Sequence, residues 1–108
     1  MRFDEYEKII GDTAIYPDVG KGTQVALSYT ALGLVGEGGE FSEKVKKWIR
    51  DGVIDKRLAA KELGDVLWYL TASAKELGYR LQDIAEMNLV KLYDRKKRDV
   101  LNGSGDER

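Results

Sequence analysis

Four carboxylates stand out because their spacing repeats. Glu37 and Glu40 are three residues apart, as are Glu62 and Asp65, and on a helix such pairs share one side. Projected at about 100° per residue, both pairs flank an apolar stripe rather than oppose it: Glu37 lies beside Leu34 and Phe41, Glu62 beside Val66. Asp51-Gly52 breaks the chain between them. An antiparallel hairpin folded about that turn brings residues with equal index totals level. Glu40 then meets Glu62 about 16 Å from the turn at 1.5 Å per residue, and Glu37 meets Asp65 about one helical turn further out. Carboxylates gathered beside an apolar core raise one another's pKa values and oppose folding unless something neutralises them. A divalent cation would do so, and an all-oxygen ligand set points to Mg2+, with Mn2+ as a substitute. The simpler reading is ordinary surface acidity, with Lys44, Lys46 and Lys47 supplying salt bridges.

A second group sits further on. Asn88 falls on the apolar face of an expected fourth helix, where a buried amide needs hydrogen-bond partners. Lys91 and Arg95 follow at spacings of three and four, so an amide, an ammonium and a guanidinium line one side and suit phosphoryl oxygens. Lys44 is a further candidate phosphate contact. A capping or inter-subunit role for Asn88 is the plainer alternative, and Lys96, Lys97 and Arg98 extend a basic run that solvent can satisfy. Carboxylates on two helices and cations on a third would hold a magnesium-bound polyphosphate, a workable phosphoryl-transfer device. It uses no Walker loop: GKGT at 20–23 lacks the required flanking spacing. Nor is GLVGEGG a dinucleotide fingerprint, since no strand precedes it. Gln24 is a weaker candidate for reading a base edge. Trp48 and Trp68 read first as core or subunit-interface anchors, with base stacking the alternative.

The elements that must position these residues are helical. Phe3 to Ile10 reads as a first helix, with Phe3, Tyr6 and Ile10 on one side, and Gly11 to Gly22, with the only proline at Pro17, as a connector. Thr23 is the expected N-cap of a second helix reaching Arg50, with Leu27, Ala31, Leu34, Val35, Phe41, Val45, Trp48 and Ile49 as its core face. A third helix is expected from Asp55 to Leu77, stopped by Gly78, and a fourth from Leu81 to Leu101. Gly33, Gly36, Gly38 and Gly39 crowd the second helix. Either the helix breaks there, or it continues and its bare backbone admits another backbone, a ligand or a hydrated metal.

Composition sets the outer bounds. The 108 residues suffice for one domain, 1–108, opening with a short helix and connector over 1–22 and ending in a Gly-rich polar tail over 102–108. Hydrophobic residues make up 43% and charged residues 34%, a globular profile. With neither Cys nor His, disulfides, thiol catalysis, Cys-ligated zinc or iron, imidazole bases and imidazole metal ligands are excluded. A formal charge of -1 gives no global field for nucleic acid or an anionic membrane. Without a long apolar run or a signal-peptide core at MRFDEYEK, a cytoplasmic location is expected.

Taken together, GLVGEGGEFSEKVKK, KELGDVLWYLTASAKELG and NLVKLYDRKK resemble the MazG-like nucleoside triphosphate pyrophosphohydrolases. The family hallmark is E-x-x-E, then E-x-x-D a helix away, then an Asn and basic residues on a later helix. The likeness runs over roughly residues 24–108. It implies an all-α, antiparallel four-helix bundle-like fold working as a homodimer or a dimer of dimers. The implied reaction is Mg2+-dependent cleavage of the α–β phosphoanhydride of a nucleoside triphosphate to monophosphate and pyrophosphate. By position, Glu37, Glu40, Glu62 and Asp65 would bind the metal, with Glu40, then Glu37, as the base for water. Asn88, Lys91 and Arg95 would contact phosphate or sugar. Gly36 stands where the family often has a second Glu, which leaves the base and metal count open. Asp106 and Arg108 in the tail are candidates to close over a nucleotide, with a frayed terminus as the alternative. Competing readings are a nonenzymatic nucleotide-binding adaptor, a relative narrowed to dCTP, dUTP or phosphoribosyl-ATP, and, least favoured by charge, nucleic-acid binding through 91–98.

Overall fold

Local signals set the boundaries of four α-helices among the described residues. The computed structural model describes residues 1–99, Gly103 and Gly105; the expectations for Asp106 and Arg108 lie outside the described residues. Helix α1 spans Phe3–Ile9 and tightens into a 3₁₀ turn over Ile10–Thr13; α2 spans Gln24–Asp51, α3 Lys56–Glu76 and α4 Leu81–Lys97. Thr23 caps α2, its Oγ1 accepting from the Ala26 amide at 3.2 Å. Asp55 caps α3, accepting from the Arg57 and Leu58 amides at 3.0 and 3.1 Å. Gly52 and Gly78, with φ of 80° and 83°, end α2 and the turn after α3 in the left-handed region glycine tolerates. Helix α2 runs unbroken through the glycine stretch, so continuity is the outcome there. Helix α4 stops earlier than expected: Arg98 caps it, and Asp99 turns left-handed with φ of 59°.

Helices α2 and α3 form the antiparallel hairpin that the equal index totals require, and this is the main packing of the chain. Gly33 and Tyr69 share the total of the two carboxylate pairs, and a Cβ built on Gly33 would overlap the Tyr69 ring. Nearer the open end, Ser73 Oγ donates to Thr30 Oγ1 at 2.9 Å. Around that end lies the small core: Ile10, Tyr16, Ala26 and Ala72, with Tyr6, Ala14 and Trp68 packed against it. Helix α1 is tied in by Lys75 Nζ, which donates to the Glu7 carbonyl at 2.9 Å, and by the Glu7 carboxylate, which accepts from the Leu81 amide.

Much of the expected core face is uncovered. Val35 is 75% exposed and Ile49 84%, and Trp48 is exposed as well. The buried residues of α2 are Ala26 and Thr30. Two helices meet along one seam, so an apolar stripe wider than the seam stays outside it. Helices α1 and α4 pack lightly and leave the hairpin's flank open. The Cα radius of gyration, 16.3 Å, accordingly exceeds the roughly 13 Å of a compact domain this long. Asn88 is corrected too: it is exposed, because the light packing of α4 leaves the middle of that face uncovered, while Leu81 and Ile84 are half-buried and Arg95 is buried. No helix among the described residues is long and apolar enough to cross a membrane.

Candidate functional site

The close approach of Gly33 to Tyr69 is what assembles the carboxylates. Glu37 is one turn beyond Gly33 on α2, and Tyr69 one turn beyond Asp65 on α3. With no side chain at Gly33 to hold the helices apart, the next turn brings Glu37 against α3. One carboxylate oxygen each from Glu37, Glu62 and Asp65 lies within 4.8 Å of the others. Glu37 and Glu62 are half-buried and Asp65 is exposed. Glu40 is exposed and outside this close trio, yet its charge is felt at Glu37. Burial first, then the charges of Asp65, Glu62 and Glu40, push the Glu37 carboxyl above the usual carboxylate range. The ion pairs α2 makes within itself, Lys46–Glu43 at 3.7 Å and Arg50–Asp51 at 2.8 Å, are not at this cluster. Three converging carboxylates, with Glu37 pushed upward by burial and by its acidic neighbours, are a donor set that a hard divalent cation fits.

An aromatic wall adjoins the cluster. A hollow of about 310 Å³ is lined by Glu37, Asp65, Thr13, Trp68 and Tyr69. Trp68 Nε1 donates to Thr13 Oγ1 at 3.0 Å, and that hydroxyl donates in turn to the Ile10 carbonyl at 3.2 Å. Trp68 meets Tyr69 edge-on at 5.0 Å, and Tyr16 packs edge-on to Trp68 at 6.3 Å and stacked with Tyr29 at 5.6 Å. The charges of Glu37 and Asp65 reach the Tyr69 hydroxyl: burial, then Tyr29, then these two carboxylates raise its pKa.

The fourth-helix candidates stand elsewhere in the chain. Asn88 is exposed, and Lys91 lines a different hollow with Tyr79, Asp83, Glu86, Met87 and Val90. Arg95 is buried, its Nη2 donating to the Gly105 carbonyl at 3.3 Å. Lys44 is half-buried on α2, and Gln24 is exposed at its first residue. A hollow of about 430 Å³ beside Phe3, Leu67 and Leu81 contains none of the four carboxylates, so volume does not mark the chemistry here.

Residues 26–100 match the family described as MazG nucleotide pyrophosphohydrolase domain. The chain belongs to that family. It is also similar to the Gene 37 protein of Mycobacterium phage L5, 47% identical over an alignment of 115 positions that takes in 100% of both chains. No solved structure matches. Within the MazG domain the two helices that supply the carboxylates, α2 and α3, fall almost wholly inside the matched region. Thr13, Tyr16 and their connector precede it.

Sequence reasoning passed over Tyr69, Thr13, Tyr16 and Glu76. Tyr69 carried a usable signal, since its index total with Gly33 equals that of the carboxylate pairs and a bare glycine opposite a large ring marks close approach. The other three lie in or against an irregular connector, where no periodicity places a side chain.

Proposed function

We propose that this MazG domain is a divalent-cation-dependent nucleoside triphosphate pyrophosphohydrolase, cleaving the α–β phosphoanhydride of canonical or non-canonical (d)NTPs to monophosphate and pyrophosphate. The observation that carries the reading is the convergence of Glu37, Glu62 and Asp65 from two antiparallel helices inside the matched region. Glu37, Glu62 and Asp65 would hold Mg2+, with Mn2+ as a substitute, and Glu40 would complete the acidic face. When bound, the ion offsets the charge of the phosphates and makes a nearby water easier to deprotonate. Glu40, outside the close trio, takes a proton from the attacking water, with Glu37 as the other candidate base. The water oxygen forms the new bond to phosphorus in line with the bridging oxygen, whose bond breaks to release pyrophosphate. Trp68 and Tyr69 supply an apolar wall beside the carboxylates, suited to the nucleoside end of the substrate.

Asn88, Lys91, Arg95 and Lys44 are proposed as contacts to phosphate and sugar. None of them lines the carboxylate hollow in the single chain, so their role goes with assembly. Pairing of two or four copies would cover the open apolar flank of the hairpin and bring α4 of one copy toward the carboxylates of another. Work in the cytoplasm, on soluble nucleotides, belongs with this reading.

The deciding experiment is ³¹P NMR of a panel of canonical and damaged nucleotides incubated with the protein and Mg2+. Monophosphate and pyrophosphate appearing together are expected, and relative rates then separate a broad enzyme from one narrowed to dCTP, dUTP or phosphoribosyl-ATP. Orthophosphate would place the cut at a different bond and overturn the reaction. Binding without turnover across the panel would favour the adaptor.

A further inference from the structure

Glu76 is a buried carboxylate that the proposed chemistry does not use. It ends α3, about 12 Å along the helix from Trp68 at 1.5 Å per residue. Three donors of the connector close on it: Tyr16 Oη donates to Oε2 at 2.5 Å, the Gly20 amide to Oε2 at 2.8 Å and the Gly22 amide to Oε1 at 2.9 Å. The connector is shaped for this. Asp18, Gly20 and Gly22 all have positive φ, at 60°, 78° and 65°, so alternate amides turn inward as in the backbone nests that bind anions. Gly22 also runs so near that a Cβ would stand 3.1 Å from the Glu76 carbonyl oxygen. Asp18 Oδ2 accepts from Thr23 Oγ1 at 2.9 Å, fastening the connector to the start of α2. The anion in this nest is the chain's own side chain.

The connector leads back to the hollow. Tyr16, fixed at its hydroxyl by Glu76, lays its ring edge against Trp68 and its face on Tyr29. Trp68 is also held by Thr13, at the end of the 3₁₀ turn, and both line the hollow beside Glu37 and Asp65. One wall of the hollow therefore depends on a segment whose main polar attachment is Glu76.

We infer that Glu76 is a positioning residue: by clipping residues 16–22 to the end of α3 it holds the Tyr16 ring against Trp68, and so keeps Trp68 and Thr13 in place as one wall of the nucleotide site, without touching metal or substrate. This rests on the reading of the hollow as the nucleotide site.

The test compares wild type with Glu76→Gln and Tyr16→Phe. In Glu76→Gln an amide NH2 replaces one acceptor oxygen and faces the connector's donors, opening the clip without adding bulk. Tyr16→Phe keeps both ring contacts and removes one of the three bonds. Well below the unfolding temperature, Glu76→Gln should raise KM for the nucleotide about ten-fold. It should leave kcat and the Mn2+ affinity of the carboxylates within about two-fold, and Tyr16→Phe should fall between it and wild type. On ¹⁵N-labelled protein, with the two indole signals assigned through Trp48→Phe, the Trp68 indole N–H should exchange faster in Glu76→Gln, as should the Gly20 and Gly22 amides. A folded Glu76→Gln with lower thermal stability but unchanged KM and unchanged Trp68 exchange would overturn the proposal, reducing the clip to a structural tie. If Glu76→Gln loses its helical circular dichroism, Tyr16→Phe decides: a raised KM at unchanged Mn2+ affinity upholds the proposal, and an unchanged KM overturns it. If wild type turns over no nucleotide, the enzymatic reading fails by itself, and the Trp68 exchange comparison still decides whether Glu76 sets the wall.

Discussion

A glutamate crowded by carboxylates and a glutamate ringed by donors respond to pH in opposite senses, and the α2–α3 hairpin holds one of each. The folded state raises the Glu37 pKa, so at neutral pH its charge works against folding and the penalty is relieved as pH falls through the raised value. For Glu76, burial works to raise the pKa, but hydrogen bonds from Tyr16, Gly20 and Gly22 and the charge of Lys75 outweigh it and the net shift is downward. Its contribution to stability is full above the ordinary glutamate range and is lost as pH falls through the depressed folded value. Two Glu→Gln substitutions should therefore differ in sign. In EDTA at pH 7, Glu37→Gln should stabilise the protein, by less than about 1 kcal/mol because the group is only half-buried. Glu76→Gln should destabilise it by about 2 kcal/mol, the cost of unmaking hydrogen bonds to a buried charge. Urea unfolding reads both, and a destabilised Glu37→Gln in EDTA would show that the acidic cluster is already compensated. Adding Mg2+ at ten times its Kd should then stabilise wild type by about 1.4 kcal/mol. Glu37→Gln, Glu62→Gln and Asp65→Asn should each lose most of that gain, and Glu62→Gln and Asp65→Asn should lose turnover by at least about a hundred-fold while remaining helical. Full turnover in either would remove it from the site.

At the scale of elements, what was legible came from signals that are local or translational. Thr23 and Asp55 announce helix starts by their side-chain oxygens, and Gly52 announces the turn. Once the turn is fixed, an antiparallel hairpin has a single free parameter, so the level matching of Glu37 with Asp65 followed from counting. The connector was illegible for the converse reason: its conformation depends on Glu76, more than fifty positions away from Gly20 and Gly22, and neither a period nor a cap marks that contact. The glycines of α2 had been read as one group, but the structure divides them. A Cβ on Gly33 meets the Tyr69 ring, whereas on Gly36, Gly38 or Gly39 it meets nothing within 4 Å. Gly33→Ala should gain the helix propensity of alanine, about 1 kcal/mol. It should still lose net stability, since prising two packed helices apart costs about 1–3 kcal/mol, and the carboxylates would separate with them. Gly36→Ala should simply stabilise the single chain by up to about 1 kcal/mol. Thermal melts in EDTA distinguish the two, and nucleotide KM then reports whether an alanine at 36, 38 or 39 obstructs a substrate or a second copy.

For the whole molecule, periodicity told which faces are apolar but not what would lie on them, and there the expectation of a filled core failed. Ala26 and Thr30 are buried while Leu32, Val35 and Ile49 on the same helix are exposed, because α1 and α4 close only the open end of the hairpin. A chain with so small a core and so wide a radius of gyration has a narrow stability margin by itself. Apolar surface of this kind on a helix flank is what an association interface presents. If copies of the chain pair through it, the gain in stability depends on concentration, which a monomer's stability does not. Ile49→Asp separates the cases because Ile49 is 84% exposed within one chain. In a monomer such a surface change shifts stability by no more than about 0.5 kcal/mol. In a pair or tetramer it buries an unpartnered charge at the contact, and breaks the assembly. Light scattering after size exclusion should show wild type at a multiple of 12.2 kDa and Ile49→Asp at a lower mass, with a fall in melting temperature and in turnover if α4 of one copy serves the carboxylates of another. A wild type at monomer mass across the micromolar range, with Ile49→Asp melting as it does, would leave the site to be completed by the single chain and would set Asn88 and Lys91 aside as phosphate contacts.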